Sequence, residues 1–410
     1  MASDVRALPD GLVLRTIRPD DIDQTAELLA QRGEPADGED LRLVLDDPDA
    51  GRAGTAVVLD GDRVVATASL LDEQLDLGGH AVPAGQVELV ATAVDHEGRG
   101  LARALMQWCH DLSRARGHLV QVMIGIPNFY RRFGYSYAMP MPRVHAMTGQ
   151  VEAPSGLTVR RATAADVAVM AELQNGEQRT ADLRMPHSDG CWRWLVARSG
   201  SEQWVAERDG SVVAVGRLLP DEGVVGELAA TEPAGAIALL ARAAAAARDA
   251  GVPLHVQPRG RGRAHDAVAP YLDRGDLPEW FYARVPDLAV LLEHLGPLLG
   301  ERLRDSGLAA AEGAGDRHQV LLSTYTQHLR FTVGPDGVDG MQRGGREQAP
   351  VSKGGSGLAA ESVPGLLLGP YGALGLEERE PDCHLGRQRE LMAALFPPVT
   401  SDLLTFYLAV

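Results

Sequence analysis

The chain has 410 residues, of which 45% are hydrophobic and 23% charged, as expected of a globular protein with two or three domains. Its 39 Lys and Arg residues against 56 Asp and Glu residues give a net charge of −17, which disfavours binding to nucleic acids or anionic membranes. No apolar run is long enough to predict a transmembrane helix. The N-terminus lacks a signal sequence and the 3 cysteines are far apart, so we expect a cytoplasmic protein without disulfides.

The first 284 residues contain one pattern of secondary structure twice. Each copy predicts a strand, a helix, a β-hairpin with an Asp-Gly turn, another strand and a helix that ends at a glycine. The pairing of the two copies predicts that Glu88 corresponds to Glu227. The matching segments are 11–15 with 156–160, 60–61 with 209–210, 88–92 with 227–231, and Gly117 with Gly251.

This repeat divides the chain into three predicted domains. The first spans residues 1–150, and a linker that contains Pro154 and Gly156 leads to the second, residues 151–284. Residues 285–410 follow a different pattern, with an apolar helix at 288–303, strands at 319–323 and 329–333, and a Gly-rich loop near 344–357. We expect this third domain to be α+β.

A glycine-rich turn in the first copy is the clearest candidate site. Gly98 and Gly100 lie between a predicted strand at 87–94 and a predicted helix at 101–116, with Arg99 and Arg103 beside them. Such a turn can direct free backbone N–H groups, at the positive end of a helix, towards a pyrophosphate. Tight strand-to-helix turns also use glycine, so the motif alone is weak evidence.

The second copy lacks this turn. After Thr231 the chain continues with Glu232 and Pro233 and has no paired glycines. The segment 259–263 alternates arginine and glycine, and we interpret it as a solvated basic loop rather than a phosphate site. The second copy is therefore predicted to be inactive.

Two motifs at this spacing resemble the GNAT acyltransferases, which use acetyl-CoA. A predicted strand at 119–124 follows the turn and its helix, and residues 129–135 read F-Y-x-x-F-G-Y. The family's [QR]-x-x-G-x-[GA] pattern falls on Glu97, Gly100 and Ala102, so Glu97 departs from the usual Gln or Arg. The fold implied is a mixed central sheet flanked by helices, present in tandem.

The resemblance also implies roles for particular residues. Amides of the strand before the turn, at Val90, Ala91 and Thr92, would bind the pantetheine and the thioester carbonyl. Tyr130 would donate a proton to the departing thiolate, since the pKa of a phenol suits a thiolate of similar basicity. The remaining cofactor-binding residues implied are Gly98, Arg99, Gly100, Leu101, Ala102, Arg103, Gly125 and Ile126.

Over its whole length the chain resembles the enhanced intracellular survival (Eis) acetyltransferases, in part through residues 280–287 and the late Phe396-Pro397. This implies a C-terminal domain like a sterol carrier protein, N-acetylation of cationic small-molecule amines or lysine, and a homo-oligomer, a hexamer in that family. It also implies that the C-terminal carboxylate, here that of Val410, acts as a base. Family members commonly end on Phe soon after the F-P segment, and this chain does not.

Several alternatives stay open at the level of sequence. Glu88 is a second candidate base, although Glu227 in the inactive copy favours a structural role. Acidic residues of the first helices could attract a cationic substrate or be ordinary surface charges. The enzyme could serve one specialised metabolite, or the third domain could make it a non-catalytic lipid carrier. No histidine spacing indicates a metal site. The acidic candidates are Asp20, Asp21, Glu34, Asp37, Glu39 and Asp40.

Overall fold

A computed structural model of the chain describes residues 5–260, 262–308 and 317–405. In this part of the chain the strands form three sheets. In chain order the strands are β1 (Val5–Ala7), β2 (Val13–Thr16), β3 (Thr55–Asp60), β4 (Arg63–Leu77), β5 (His80–Thr92), β6 (Val120–Met123), β7 (Ser136–Pro140), β8 (His145–Ala146), β9 (Thr158–Arg161), β10 (Leu183–Met185), β11 (Glu202–Arg208), β12 (Ser211–Leu219), β13 (Val224–Ala230), β14 (His255–Val256), β15 (Trp280–Arg284), β16 (His318–Ser323), β17 (His328–Gly334), β18 (Gly337–Gly344), β19 (Ser356–Gly357) and β20 (Ser401–Leu403).

Helices pack on the faces of these sheets. Among the described residues the α-helices are α1 (Ile22–Arg32), α2 (Asp37–Asp46), α3 (Leu101–Ala115), α4 (Val167–Gln178), α5 (Asp189–Ala197), α6 (Pro233–Ala250), α7 (Arg263–Val268), α8 (Leu288–His294), α9 (Gly296–Asp305), α10 (Val363–Leu368), α11 (Gly372–Arg379) and α12 (Arg389–Leu395). None of the helices described is long and apolar enough to cross a membrane. The mixed α/β and α+β class predicted from the sequence is confirmed.

The first sheet is mixed and contains the candidate site. Its strand order is β1-β2-β3-β4-β5-β6-β15-β7, and β10, followed by β20, joins the far end of β4. Most neighbours are antiparallel, whereas β5 pairs with β6, and β10 with β20, in parallel. The second sheet has the order β8-β14-β13-β12-β11-β9, and the third β18-β17-β16-β19.

Strands cross between the predicted domains. The strand β15, from the end of the second predicted domain, lies between β6 and β7 of the first sheet. In return β8, from the end of the first predicted domain, pairs with β14 of the second sheet. The boundaries near 150 and 284 remain predictions, but the hydrogen-bonded sheets extend past them in both directions.

The helix α3 covers the first sheet next to the glycine-rich turn. Leu101, Leu105, Trp108 and Cys109 recur at helical spacing and are buried against the sheet, as expected of an amphipathic helix. Gly117, just beyond its end, has a φ of 77°, a left-handed conformation that glycine adopts without strain. Two glycines in left-handed conformations, Gly100 before the helix and Gly117 after it, therefore mark its two ends.

The third predicted domain packs against the other half of the first sheet. Val122 and Phe281 share one apolar cluster with Leu292 and Leu366. The single helix predicted at 288–303 was wrong, because the chain turns at Leu295 and a new helix, α9, begins with Gly296 and Pro297.

Candidate active site

The glycine-rich turn adopts a conformation that requires its glycines. Gly98 has a φ of 76° and Gly100 a φ of 81°, and a Cβ at either position would meet nothing within 4 Å. The requirement is therefore one of backbone conformation and not of crowding. Helix α3 begins directly after Gly100, so the N–H groups of Leu101, Ala102 and Arg103 have no acceptor within the helix and can bind an anion.

Charged side chains surround this turn. Arg103 is exposed on the first turn of α3, and Arg99 forms an ion pair with Asp10 at 3.1 Å. Glu97, which departs from the GNAT pattern, forms an ion pair with Arg32 at the end of α1. The carboxylate of Glu97 is thus compensated, and Arg32 brings a third guanidinium to the turn.

The strands β5 and β6 separate beside the turn. They pair in parallel only from Ala84 to Gln86 on β5, although β5 continues to Thr92. The N–H of Ala93 donates to the carbonyl of Val65 on β4 at 2.8 Å. Because strand residues alternate, the N–H of Ala91 also faces β4. The amides of Val90 and Thr92 face the opened side, so these two of the three predicted strand residues can meet a ligand there.

Tyr130 lies across the end of this opening. It belongs to a 3-10 helix, Phe129–Phe133, that is bounded by Asn128 and Gly134 in left-handed conformations. Its ring is 5% exposed and packs edge-on against Phe129 and Tyr282, with ring centroids 5.0 and 5.9 Å away. Burial, followed by the charge of Glu88, raises the pKa of Tyr130 to about 12. The phenol therefore stays protonated in any ordinary buffer.

Gly125 and Ile126 take roles that the sequence did not indicate. A Cβ on Gly125 would lie 2.4 Å from the ring of Tyr130, so only glycine lets that ring cover the end of β6. The side chain of Ile126 is 64% exposed, and its carbonyl accepts a hydrogen bond from the Tyr282 hydroxyl at 3.3 Å. In this structure Gly125 makes room for the ring of Tyr130 and Ile126 binds the hydroxyl of Tyr282, and the contact of these two residues with a cofactor remains a prediction.

Glu88 is a buried carboxyl group on β5 near Tyr130. It is 8% exposed and accepts a hydrogen bond from the side-chain amide of Gln86. Burial, together with the nearby carboxylates of Asp37 and Asp40 on α2, raises its pKa to about 8, against the lowering effect of the Gln86 bond. A carboxyl group with this pKa can accept a proton at mildly alkaline pH.

The predicted equivalence of Glu88 and Glu227 was wrong by one residue. Leu89 and Glu227 share the same unusual φ of 53°, at the bulge in each copy. The pairing of the strands leads to the same assignment. Ser69 of β4 pairs with Glu88, and Arg217, the residue of β12 that corresponds to Ser69, pairs with Gly226. Glu88 thus corresponds to a glycine in the second copy, and the repeat gives no evidence that Glu88 is merely structural.

Acidic groups from several elements converge on Glu88. Asp40 is fully buried and forms an ion pair with Arg198 at 2.8 Å. Burial, together with the charge of Glu88, raises the pKa of Glu73 on β4 to about 8. Partial burial and the charge of Glu34 raise the pKa of Glu222. The charge of Asp40 is compensated by Arg198, whereas Glu73 and Glu88 hold their protons at neutral pH.

The other acidic candidates have local structural partners. Asp21 accepts two hydrogen bonds from the Arg15 guanidinium, at 2.6 and 2.9 Å, and its carboxylate also caps the segment that leads into α1. Asp20 is exposed on the same turn, and Glu39 binds the hydroxyl of Ser199. Of the six acidic candidates, Asp37 and Asp40 are the two that act on Glu88.

The end of the described chain is held by the second copy. Arg259 donates to both carboxylate oxygens of Asp402, at 3.1 and 3.2 Å, and both residues are buried. The expectation of a solvated basic loop at 259–263 is therefore wrong for Arg259. Arg217 donates to the carbonyl of Thr405 at 3.3 Å. The predicted base, the carboxylate of Val410, lies outside the described residues.

A buried ion-pair network supports this contact. His187 contacts both carboxylate oxygens of Glu227 at 3.1 Å, and Arg217 lies 3.5 Å from the same carboxylate. Burial alone would raise the pKa of Glu227, but the charges of His187 and Arg217 outweigh burial and lower it to about 2. Arg217 therefore has a buried counter-ion while it binds the C-terminal segment.

We expect Asp402→Asn to lower the free energy of unfolding by about 3–5 kcal/mol, because it leaves the buried cation of Arg259 without its counter-ion. Asp339→Asn is the matched control, since Asp339 pairs with Arg317 at 2.6 Å on the surface and such pairs contribute less than about 1 kcal/mol. Urea unfolding of both variants measures the difference. Equal effects would mean that the pair with Asp402 is as weak as a surface pair.

We expect Gly100→Ala to weaken acetyl-CoA binding about tenfold or more. An alanine in the left-handed region costs about 1–2 kcal/mol, so the turn relaxes and its N–H groups move away from the phosphates. Gly117→Ala is the matched control, because Gly117 has a similar φ of 77° with nothing within 4 Å, at the other end of the same helix. Calorimetry should show similar losses of stability in both variants and weaker binding only in Gly100→Ala. Equal affinities would exclude the turn from the binding site.

Comparison with known proteins identifies the class of enzyme. Residues 13–138 match the acetyltransferase (GNAT) domain family. No curated protein matches the chain. Among solved structures, a GCN5-related N-acetyltransferase from Kribbella flavida is 19% identical, with a TM-score of 0.66 over 99% of this chain and 100% of that chain.

Two further structures share the fold. A GCN5-related N-acetyltransferase from Anabaena variabilis ATCC 29413 is 13% identical, with a TM-score of 0.66, and Eis1 from Mycobacterium abscessus is 15% identical, with a TM-score of 0.61. Each comparison covers 96% of this chain and 99% of the other. At such low identity these structures establish a common fold and leave the acceptor substrate open.

The protein is therefore an acyltransferase, as predicted from the sequence. Its residues 13–138 form a GNAT acetyltransferase domain, a family that uses acetyl-CoA. A second GNAT domain and a C-terminal domain like a sterol carrier protein remain predictions.

Proposed function

We propose that this protein transfers the acetyl group of acetyl-CoA to a primary amine of a cationic small molecule, such as a polyamine or an aminoglycoside-like compound, or to lysine. The observation that carries the proposal is the position of Glu88 between a protonated Tyr130 and the acidic residues Asp37 and Asp40. This arrangement offers a proton donor on the thioester side and negative charge on the acceptor side.

The residues present fit acetyl-CoA. The free N–H groups that begin α3, together with Arg32, Arg99 and Arg103, suit a pyrophosphate. The amides of Val90 and Thr92, on the opened side of β5, suit a pantetheine chain and the thioester carbonyl. These assignments extend the family's use of acetyl-CoA to residues of this chain.

The reaction would be a direct transfer within a ternary complex. A neutral amine attacks the thioester carbonyl, and strand amides stabilise the oxyanion that forms. The carbon–sulfur bond then breaks, and Tyr130 donates its proton to the thiolate of CoA. A carboxylate takes the proton that the substrate ammonium must lose.

For that carboxylate we propose Glu88. A pKa of about 8 suits it to accept a proton from an ammonium group, and Asp37 would hold the cation nearby. The resemblance implies the carboxylate of Val410 instead. The ion pair of Arg259 with Asp402 and the hydrogen bond from Arg217 to the carbonyl of Thr405 support a fixed position for the chain just before that terminus.

The proposal is tested by free-thiol release from acetyl-CoA with a panel of polyamines, aminoglycosides and lysine peptides. Each cationic amine is matched with a monoamine of similar length. We expect amine-dependent release that is faster with the polycations. If acetyl-CoA binds but no amine is acetylated, the enzyme serves a specialised metabolite outside the panel. If acetyl-CoA does not bind either, the carrier function is favoured and the proposal fails.

The role of the acidic groups has its own test. We expect Asp37→Asn to raise the KM of a polycation more than that of the matched monoamine and to leave the KM of acetyl-CoA unchanged, because attraction scales with charge. Asp20→Asn, which removes an exposed carboxylate on another turn, is the control. Equal changes in KM for the two amines would show that Asp37 does not select the substrate by its charge.

We also propose a homo-oligomer, on the resemblance alone. Size-exclusion chromatography with light scattering would measure the mass of the particle against the 43.7 kDa of one chain. A monomer would overturn this part of the proposal.

A further inference from the structure

A second cavity lies apart from the glycine-rich turn, where the first sheet meets the C-terminal helices. Its volume is about 630 Å³, and it is lined by the start of the edge strand β7 and by residues of α10 and α11. The lining residues that matter here are Tyr135, Ser136, Trp280, Arg284, Ser362 and Tyr371.

The cavity contains a cation without an acidic partner. One N–H of the Arg284 guanidinium donates to the side-chain oxygen of Gln121 at 2.9 Å, and no carboxylate among the described residues forms an ion pair with Arg284. Burial lowers its pKa below the usual range, and Arg114 lowers it further, although Tyr135 acts in the opposite direction. A partly buried cation whose charged neighbour is another cation favours an anion from outside.

One wall of the cavity is aromatic. The rings of Trp280 and Tyr371 have centroids 6.1 Å apart and planes tilted by 36°. At the mouth, Glu361 and Glu380 are exposed, and Arg131 also lines the cavity. Arg379, next to Glu380 in the chain, has its guanidinium 4.1 Å from the Tyr371 ring. The cavity therefore combines the Arg284 cation with an aromatic wall.

We propose that this cavity binds a small organic anion, a carboxylate attached to a flat apolar or aromatic group. The carboxylate would accept hydrogen bonds from the Arg284 guanidinium, and the apolar group would lie against Trp280 and Tyr371. The site is separate from the opened strands, since Arg284 pairs with Gln121 near the start of β6 and that opening lies beyond the end of β6. The proposal does not depend on the acetylation proposed above.

The test uses 1-naphthoate as the probe and 1-naphthamide as its neutral counterpart. Calorimetry with the full-length protein should show saturable binding of one naphthoate per chain, at least tenfold tighter than the amide. Arg284→Gln should weaken naphthoate binding at least tenfold and leave amide binding unchanged. Equal affinities for the two probes, or an affinity for naphthoate that Arg284→Gln does not change, would overturn the proposal.

A second variant tests the cavity without removing a charge. Gly365 lines it, and a Cβ there has as its nearest contact a methyl group of Leu376 at 3.9 Å, so a larger side chain has room to enter. Gly365→Leu should abolish binding of both probes, even if Arg284→Gln fails to fold. Unchanged naphthoate binding in Gly365→Leu, with the thermal unfolding of the native protein, would place the probe elsewhere and overturn the proposal.

Discussion

Tyr130→Phe is expected to lower kcat about 100-fold or more and to leave the Kd of acetyl-CoA within about twofold of the native value. The hydroxyl is the proposed proton donor, and a positioned general acid contributes about 10²–10⁴ to the rate. Its pKa of about 12 means that the donor form is present throughout the working range of pH. Single-turnover thiol release separates this effect on chemistry from any effect on binding.

The matched control is Tyr135→Phe. Tyr135 is as buried as Tyr130 and packs edge-on against it at 6.4 Å, but its hydroxyl donates to the side chain of Gln121 at 3.2 Å, away from the opened strands. This variant should lose stability without a comparable loss of kcat. If kcat falls by the same factor in both variants, Tyr130 and Tyr135 affect activity only through packing, and Tyr130 is not the general acid.

Glu88→Gln is expected to lower kcat/KM about 100-fold or more at pH 8 and to abolish the pH dependence that Glu88 imposes. In the native enzyme the reactive form needs the carboxylate, so kcat/KM should rise with pH through about 8, the pKa of the free enzyme. Glu73→Gln should move this rise to lower pH, because it removes a neighbouring carboxylate whose charge is coupled to that of Glu88.

The alternative base is tested in the same experiment by adding two glycines after Val410, which displaces the terminal carboxylate. If Glu88 is the base, the extended chain keeps the rise near pH 8. Loss of activity in the extended chain, together with an unchanged profile in Glu88→Gln, would assign the base to the C-terminus instead.

Glu88 should also make the free energy of unfolding depend on pH, and this stability should fall as pH rises while activity rises. In the unfolded chain Glu88 releases its proton near pH 4.5, whereas in the folded protein it keeps the proton until about 8. The folded state therefore binds more protons between these values, and stability falls as pH rises, by up to about 1.4 kcal/mol per pH unit for this group. Glu227, whose folded pKa is about 2, contributes stability above pH 4.5 that is lost as pH falls.

The sequence predicted the parts of the site that depend on local structure. Gly98 and Gly100 were predicted from a glycine-rich turn between a strand and a helix, and Tyr130 was predicted from its motif. The same reasoning predicted the repeated hairpins, since an Asp-Gly turn between apolar strands is a short-range signal. In each case the information lies within about ten residues.

The features that were missed depend on distant contacts. The segments 88–92 and 227–231 have similar sequences, yet the pairing of the strands makes Leu89 equivalent to Glu227, and the local sequence does not show which residues pair. Arg259 looked like a surface arginine because its partner, Asp402, is 143 residues further along the chain. The placement of β15 in the first sheet similarly depends on pairing between residues more than 140 positions apart.

The exchange of strands also constrains the order of events during synthesis. The sheet that carries Tyr130 lacks its strand between β6 and β7 until residues 280–284 have left the ribosome, and its other margin stays incomplete until residues 401–403 follow. A nascent chain that stops at residue 150 has two unpaired strand edges where the finished protein has one continuous sheet. We therefore expect a chain that ends before residue 280 to lack a complete first sheet and to be cleaved by proteases faster than the full-length protein.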